Sequence, residues 1–431
     1  MLTTPEFLKP LLTVPVAVFG AGVSGQAAAA LIERLGGTAV IYDASGASDA
    51  RTEYRPPVGG TAGLVVCSPG FAPSHPWITA ARAGGQVCLG ELDFASLFWR
   101  GELVAVTGTN GKTTLTSFLV HALHAAGRDA YAAGNIGTAL SAVVVERGGG
   151  APDSIAICEV SSFQAETLRY LRADAALWTN FAEDHLERHG SLEAYFLAKW
   201  RLFERAIGGE VFAGASVASA AERYGQSLPE SATVATDDET GDLLLQGTVF
   251  AEPPQRENFL LAAAWWRAAG LREPLLYGAA HTFELLPHRL AKVAEHAGVS
   301  WWDDSKATNF HAVEAALERF GAPVILIAGG KSKGGDVARF VTRIATRVKF
   351  AYLIGETRSV LATLLGAAGV AHRVCADLSE AVTLAASAAQ PGDDVLLSPG
   401  FSSLDQFCSY ADRGVQFKRH VQNLGAMPVL A

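Results

Sequence analysis

The stretch LVAVTGTNGKTTLTSFLV, residues 103–120, decides how the chain is read. An apolar run from Leu103 to Val106 ends in a loop of Gly108, Thr109, Asn110, Gly111, Lys112, Thr113 and Thr114. Leu115, Phe118, Leu119, Ala122 and Leu123 then recur at helical spacing, so the pattern predicts strand, loop and helix. That context suits a triphosphate. Glycines let backbone N–H groups approach phosphate oxygen, and the loop feeds a helix N-terminus whose dipole favours anions. Lys112 can bridge the terminal phosphates and Thr113 can ligate Mg²⁺. Val106 stands where G-x-x-x-x-G-K-[ST] would place its first glycine. ATP and Mg²⁺ are the expected ligands; the loop names no acceptor.

Outward from this loop, VPVAVFG, TAVIYD, GLVVCS, SIAICEV, PVILIAGG, FAYLIG and DVLLSPG are further short β-branched runs, separated by Ala/Leu-rich segments of helical length. Such runs predict buried parallel strands with crossover helices, an α/β fold. The 431 residues exceed what one core organises, and punctuation near FWRGEL and LLPHRL divides them into 1–98, 99–287 and 288–431. Between residues 230 and 255 an irregular, partly acidic stretch alternates in a way that predicts a small antiparallel excursion.

Hydrophobic residues are 49% and charged residues 18% of the chain, which excludes a disordered protein. A net charge of -9 argues against nucleic acid as a partner. Cys67, Cys88, Cys158, Cys375 and Cys408 are odd in number and form no C-x-x-C pair, so neither disulfides nor a zinc site is expected; they read as buried small hydrophobes in a reducing compartment. Residues 9–32 imitate a membrane span, but Pro15, three glycines, Ser24 and Gln26 interrupt them. They read better as strand, tight turn and helix. No membrane association is expected, and the chain is placed in the cytoplasm as a monomer.

Gly20, Gly22 and Gly25 form G-x-G-x-x-G, with Asp43 ending the next strand. This fits a dinucleotide with Asp43 on a ribose, another nucleotide, or plain packing of helix on strand. A dehydrogenase would not need a second phosphate loop. In CEVSSFQAE, Glu159 closes a strand expected beside the phosphate loop and is a candidate Mg²⁺ ligand. In TNFAEDHLERHG, which also carries Asn180 and Asp184, His185 is either a second metal ligand or a helix-start histidine near a capping aspartate. Lys199 reads by default as a solvated helical lysine.

These segments together resemble the Mur ligase family, the ATP-dependent ligases that build the peptide stem of peptidoglycan. GTNGKTT, GNIG, EVSSFQ, TNFAEDHLERHG, the Lys199 helix, PHR, DDSKATN and LSPGFSSLDQF occur in family order across nearly the whole chain. The C-terminal motifs, with YADRGVQF, are similar to those of the member that adds D-glutamate to UDP-N-acetylmuramoyl-L-alanine, and the Asp-Asn-Pro-Arg signature of the diamino-acid-adding member is absent.

The resemblance implies an N-terminal Rossmann-like domain for the UDP-sugar, a central P-loop ATPase-type parallel sheet, and a C-terminal Rossmann-like domain for the amino acid. It moves Ser24 and Gly25 to the substrate's diphosphate, Asp43 to its uracil end, and Gly70 and Asn135 to the rest of that ligand. Lys112, His185 and Lys199 become catalytic, with Glu159 and His185 on metal and Lys199 a metal ligand if carbamylated. Asn258, Arg289, Asp304 and Lys306 fall at ATP positions, although Leu261 replaces the asparagine that holds adenine. Thr308, Lys333, Ser403, Leu404 and Tyr410 fall where the family holds the two glutamate carboxylates, with Lys331 an equally close alternative to Lys333 by spacing. The implied reaction passes through an acyl phosphate, with domain closure expected to assemble the site.

Overall fold

The computed structural model describes residues 2–47, 50–57, 63–236 and 242–424. The chain divides into two compact units: Met1–Phe181 with Glu193–Ala251 and Gln255–Phe283, and Ala182–Leu192 with Glu252–Pro254 and Glu284–Ala431.

The first unit carries two parallel sheets. One contains β1 (Val16–Phe19), β2 (Ala39–Tyr42), β3 (Leu64–Cys67) and β4 (Val87–Gly90) in the order β2-β1-β3-β4. The segment that imitated a membrane span is β1, a tight turn and the helix Val23–Arg34. Gly20 makes the turn at φ 101°, and a Cβ on Gly25 would lie 1.8 Å from the Gly20 carbonyl oxygen. The first glycine motif therefore packs helix against strand at a distance no side chain permits. Among the described residues, no helix is long and apolar enough to cross a membrane.

The second sheet holds β5 (Glu102–Thr107), β6 (Ala130–Gly134), β7 (Ile155–Glu159), β8 (Ala175–Trp178), β9 (Val211–Gly214) and β10 (Thr233–Ala235), ordered β10-β9-β8-β5-β7-β6. β5 is thus central, with β7 and β8 as neighbours. After the phosphate loop, the helix Lys112–Ala125 fully buries Leu115, Phe118, Leu119, Ala122 and Leu123. Each of the larger side chains contributes about 1.5–3 kcal/mol to that docking.

The antiparallel excursion expected between residues 230 and 255 is corrected. β10 pairs parallel with β9, because the helix Ala215–Arg223 carries the chain back across the sheet before β10 begins. Residues 237–241 of that stretch lie outside the described residues.

One buried cluster runs from Leu8 and Val18 through Phe94 and Leu140 to Trp178, so the two sheets of this unit share a core. Polar bonds reinforce it. Asp93, with no exposed surface, accepts the backbone N–H groups of Arg169 (3.1 Å), Tyr170 (2.8 Å) and Leu171 (2.8 Å). Glu91 accepts the N–H of Ser141 at 2.8 Å. Burial pushes both carboxyls above the ordinary range, and these donors oppose the rise.

The second unit is built on β11 (Ala291–His296), β12 (Val299–Asp303), β13 (Val324–Gly329), β14 (Val348–Ile354), β15 (His372–Val374) and β16 (Asp394–Leu397). Their order is β11-β12-β16-β13-β14-β15, parallel except for the β11/β12 hairpin. Val324, Leu326 and Ala328 of β13 enter one core and Ile325 and Ile327 the other. Burial on both faces is why VILIAG reads as unbroken apolar sequence. Four of the cysteines are buried as expected, whereas Cys408 is exposed.

Candidate active site

In the first unit the phosphate loop joins β5 to the helix beginning at Lys112. Gly108, at φ 154°, admits no Cβ, which would meet Thr179 Oγ1 at 1.8 Å. A Cβ on Gly111, at φ 81°, would likewise strike the Asn258 side-chain oxygen at 2.5 Å, so Asn258 lies against the loop. Leu261 is 1% exposed and belongs to the core. The segment after β8 braces the loop: Asn180 accepts Thr109 N–H with its carbonyl and Asn110 N–H with its amide oxygen, both at 2.9 Å. The Thr179 hydroxyl donates to the Asn110 carbonyl at 2.6 Å.

Two ammonium groups meet on this loop. Lys112 Nζ donates to the carbonyls of Gly108 (2.8 Å) and Thr109 (2.9 Å). Lys199 Nζ donates to the same Gly108 carbonyl at 2.8 Å and to Thr107 Oγ1 at 3.1 Å. The default reading of Lys199 as solvated is thereby corrected: it is 1% exposed, with its ammonium 5.1 Å from the Tyr195 ring centroid. Helix Leu192–Trp200 turns it inward, and cation–ring attraction offsets part of its dehydration. Positive charge is thus concentrated where a polyanion would sit. Thr113 is half-buried in the first turn of its helix and Thr114 is buried.

Glu159 ends β7 in register with Val106 of β5 and is 2% exposed. Asn135 donates to its Oε1 at 2.7 Å, while Oε2 is buried without a hydrogen-bond partner. An orphaned carboxylate oxygen beside a phosphate loop fits a cation held jointly with phosphate oxygens. Among the described residues there is no cluster of three His, Cys, Asp or Glu able to hold a metal unaided. Asn135, expected on the UDP-sugar, thus also serves this carboxylate.

At the N-terminal sheet, Ser24 is half-buried in the first helical turn and Gly70 is exposed. Asp43 accepts Ala21 N–H (2.8 Å) and the Ser45 hydroxyl (2.6 Å) and N–H (2.9 Å). The Ser45 hydroxyl and then these amides hold its carboxyl below the ordinary value. In the structure it fastens the glycine turn.

The second unit places Thr308 and Lys333 on one pocket, together with Asp184, His185 and Asn309. Asp184, named in the sequence reading without a role at the site, organises it. Its side chain is 7% exposed and accepts Lys333 Nζ at 2.6 Å and the Asn309 amide at 3.1 Å. Burial alone would raise its carboxyl, but Lys333, His185 and these hydrogen bonds outweigh burial and leave it below the ordinary value. His185 is held at φ 54°, with Nδ1 3.4 Å from Glu187 Oε1; burial chiefly, and Lys333, keep it below the usual imidazole range. Lys331 is exposed and pairs through its backbone with Ser402, so geometry favours Lys333 as the pocket lysine. Ser403 is buried and Leu404 is 64% exposed; neither, nor Tyr410, is on the lining of that pocket.

Asp304 is buried, accepts Ser398 Oγ at 2.8 Å and Leu290 N–H at 3.1 Å, and is pushed up to about 7 by burial. Neighbouring Arg289 opposes that rise. Lys306 Nζ lies 4.1 Å from the centroid of the Tyr410 ring. Arg413, also missed, is wholly buried and donates to Ser305 Oγ (2.9 Å), Ser305 O (2.8 Å) and Phe401 O (3.3 Å). It ties together the DDSKATN and LSPGFSS loops. Its signal was the adjoining Gly414, where a Cβ would meet His288 Nδ1 at 2.1 Å.

Residues 106–236 match the Mur ligase middle domain and residues 288–401 the Mur ligase glutamate ligase domain. The UDP-N-acetylmuramoylalanine--D-glutamate ligase of Pelotomaculum thermopropionicum is 35% identical, with 97% of this chain and 99% of that protein aligned. The chain belongs to the Mur ligase family. The ligase of the same name from Acidobacterium capsulatum is 34% identical over 94% of this chain and 95% of its own. A pseudomurein peptide ligase type C from Methanothermus fervidus superposes with a TM-score of 0.60, covering 95% of this chain and 100% of that one. At 16% identity that likeness establishes the fold alone, the three-domain α/β arrangement of a Mur ligase.

Proposed function

We propose that this Mur ligase joins D-glutamate to UDP-N-acetylmuramoyl-L-alanine, using ATP and passing through an acyl phosphate. The observation that carries the reading is the phosphate loop of the first unit, where Lys112 and Lys199 share the Gly108 carbonyl beside the half-satisfied Glu159 carboxylate. The similarity to D-glutamate ligases over nearly the full chain supports the choice of acceptor.

In the first step a carboxylate oxygen of the alanyl end attacks the γ-phosphorus of ATP, and the bond from that phosphorus to the ADP oxygen breaks. Both reactants are anions, so electrostatic positioning supplies most of the catalysis. Lys112 moves from its loop carbonyls to the terminal phosphates, Gly108 and Gly111 let backbone N–H groups approach, and Asn258 lies against the loop. In the second step the D-glutamate amine attacks the acyl carbon, the tetrahedral centre expels phosphate, and the nitrogen loses a proton. Lys333 and Thr308 hold a glutamate carboxylate, with Asp184 fixing the lysine. Arg289, Asp304 and Lys306 belong to the ATP contacts, and Ser403, Leu404 and Tyr410 to those of D-glutamate.

Thr113 and Glu159 would hold Mg²⁺, with His185 as a further ligand and Lys199 as one when carbamylated. The ion supplies charge neutralisation of the phosphates. Glu159→Gln should raise the Mg²⁺ concentration for half-maximal activity by about tenfold or more, measured by titrating the metal at saturating substrates. An unchanged requirement removes Glu159 from the metal site.

The reading as a whole is tested by phosphate release from ATP with matched acceptors. Release should need UDP-N-acetylmuramoyl-L-alanine and D-glutamate together. Release with L-glutamate and a folate, or none with any acceptor, defeats it.

A further inference from the structure

Lys333 and Thr308 account for a carboxylate in the pocket of the second unit, but not for the methylenes that carry it. Two phenyl rings, Phe310 and Phe401, are on the same lining. Phe401 is buried, so Phe310 supplies the accessible ring.

The position of that ring follows from the local sequence. Asn309 caps the helix Phe310–Glu318 by accepting Ala312 N–H at 2.9 Å, which makes Phe310 the first helical residue, directly after Thr308 and Asn309 on the pocket. The ring lies nearly flat on Phe340, with centroids 4.5 Å and planes 13° apart, and edge-on to Phe401 at 5.3 Å and 73°. Phe340 and Phe401 are buried members of one core, and Phe310 packs against it. Stacked and edge-on ring pairs are favoured beyond the area they bury, so Phe310 ends a stack rooted in the interior. Such a wall resists displacement, because moving it disturbs close-packed neighbours.

The ring is also held in place relative to the cation of the pocket. The loop carrying Lys333 continues through Gly334 and Gly335, and a Cβ on Gly335, at φ 101°, would lie 2.9 Å from Phe310 Cε2 and 2.6 Å from Glu183 Oε1. The backbone two residues beyond Lys333 is therefore wedged between the ring and Glu183, whose Oε1 accepts Asp336 N–H at 3.0 Å. Lys333 Nζ donates to Asp184 Oδ1 at 2.6 Å. Cationic end and apolar wall thus belong to one frame.

We infer that Phe310 sets the length of amino acid this ligase accepts, its ring closing the pocket over the methylenes of a dicarboxylate whose carboxylate sits on Lys333. The inference rests on the D-glutamate reading above and adds the residue that measures the substrate. An amino acid one methylene longer must push the ring off Phe340 or draw its carboxylate off Lys333. Against an apolar wall, one methylene changes kcat/KM by about 10–200-fold.

The test compares D-glutamate with D-2-aminoadipate, which has the same charges and one more methylene, by phosphate release at saturating ATP and UDP-N-acetylmuramoyl-L-alanine. Wild type should favour D-glutamate by about hundredfold in kcat/KM. Phe310→Ala should raise kcat/KM for D-2-aminoadipate by about tenfold or more and lower that for D-glutamate, with the KM for ATP within about threefold of wild type. Phe310→Leu keeps an apolar anchor at the helix start and should move both values in the same directions by a smaller factor. The absolute gain decides the matter, since a loosened fold loses activity toward both amino acids. The inference is overturned if wild type uses the two amino acids about equally, or if neither variant gains on D-2-aminoadipate. No turnover of D-glutamate by wild type defeats the ligase reading, and the inference with it.

Discussion

Lys112→Ala should lower turnover by about three orders of magnitude while the protein stays folded. The ammonium is a preorganised cation at the point where phosphate charge develops, and removing one such group costs roughly 10²–10³ in rate at comparable sites. The loop retains one further cation, Lys199, but its ammonium is fastened to Thr107 and Gly108 inside the core. It cannot follow the phosphates outward. Folding should not suffer, because Lys112 occupies the first helical position, where the helix dipole disfavours positive charge. Single-turnover conversion of ATP to ADP, with circular dichroism as the control for folding, separates the effects. Turnover within tenfold of wild type would dismiss Lys112 as the phosphate lysine.

Lys333→Ala should raise the KM for D-glutamate by about two orders of magnitude and leave that for ATP within about threefold. A charge-assisted bond to a carboxylate is lost, and so is the counter-charge of Asp184, whose side chain is 7% exposed. Breaking a buried pair by removing one partner typically costs about 3–5 kcal/mol, and with the Lys333 side chain 18% exposed the effect here belongs at the lower end. The pH dependence has a definite sign. In the wild type the Asp184 carboxyl lies below its unfolded value, so it contributes stability above that value and loses it as pH falls. The variant should lack this acid-sensitive contribution. Lys333→Met with Asp184→Asn should recover stability without recovering D-glutamate affinity. If ATP and D-glutamate weaken equally in Lys333→Ala, the lysine is structural and the glutamate assignment fails.

What the sequence disclosed follows from where each element's information lies. β1, β3, β5, β7, β13, β14 and β16 were recognisable because strands largely buried on both faces must be mostly apolar, and the half-buried β2 because Val40, Ile41 and Tyr42 favour strand. β4 (VCLG), β6 (AYAAG) and β8 (AALW) were not, since alanine and glycine carry little strand preference and neighbouring strands decide their conformation. In the three-residue β10, alternation could not distinguish parallel from antiparallel pairing; the crossover helix settles that. The phosphate loop was legible because its chemistry is local, with glycines, lysine and threonine within seven positions. The Asp184 site was not, because its partner Lys333 is 149 residues away. The burial of Lys199 and the role of Arg413 were hidden for the same reason: sequence lists a charge but not its burial.

The three amides gathered on Asp93 bear on how the polypeptide can be cut. Architecturally the first hundred residues end a domain, yet their last buried acid finds its donors at Arg169, Tyr170 and Leu171. An N-terminal fragment expressed alone would bare Leu89, Phe94 and Phe98 to solvent and strand that carboxylate, so it should aggregate rather than fold. The two sheets of this unit should melt together, one cooperative block despite two topologies.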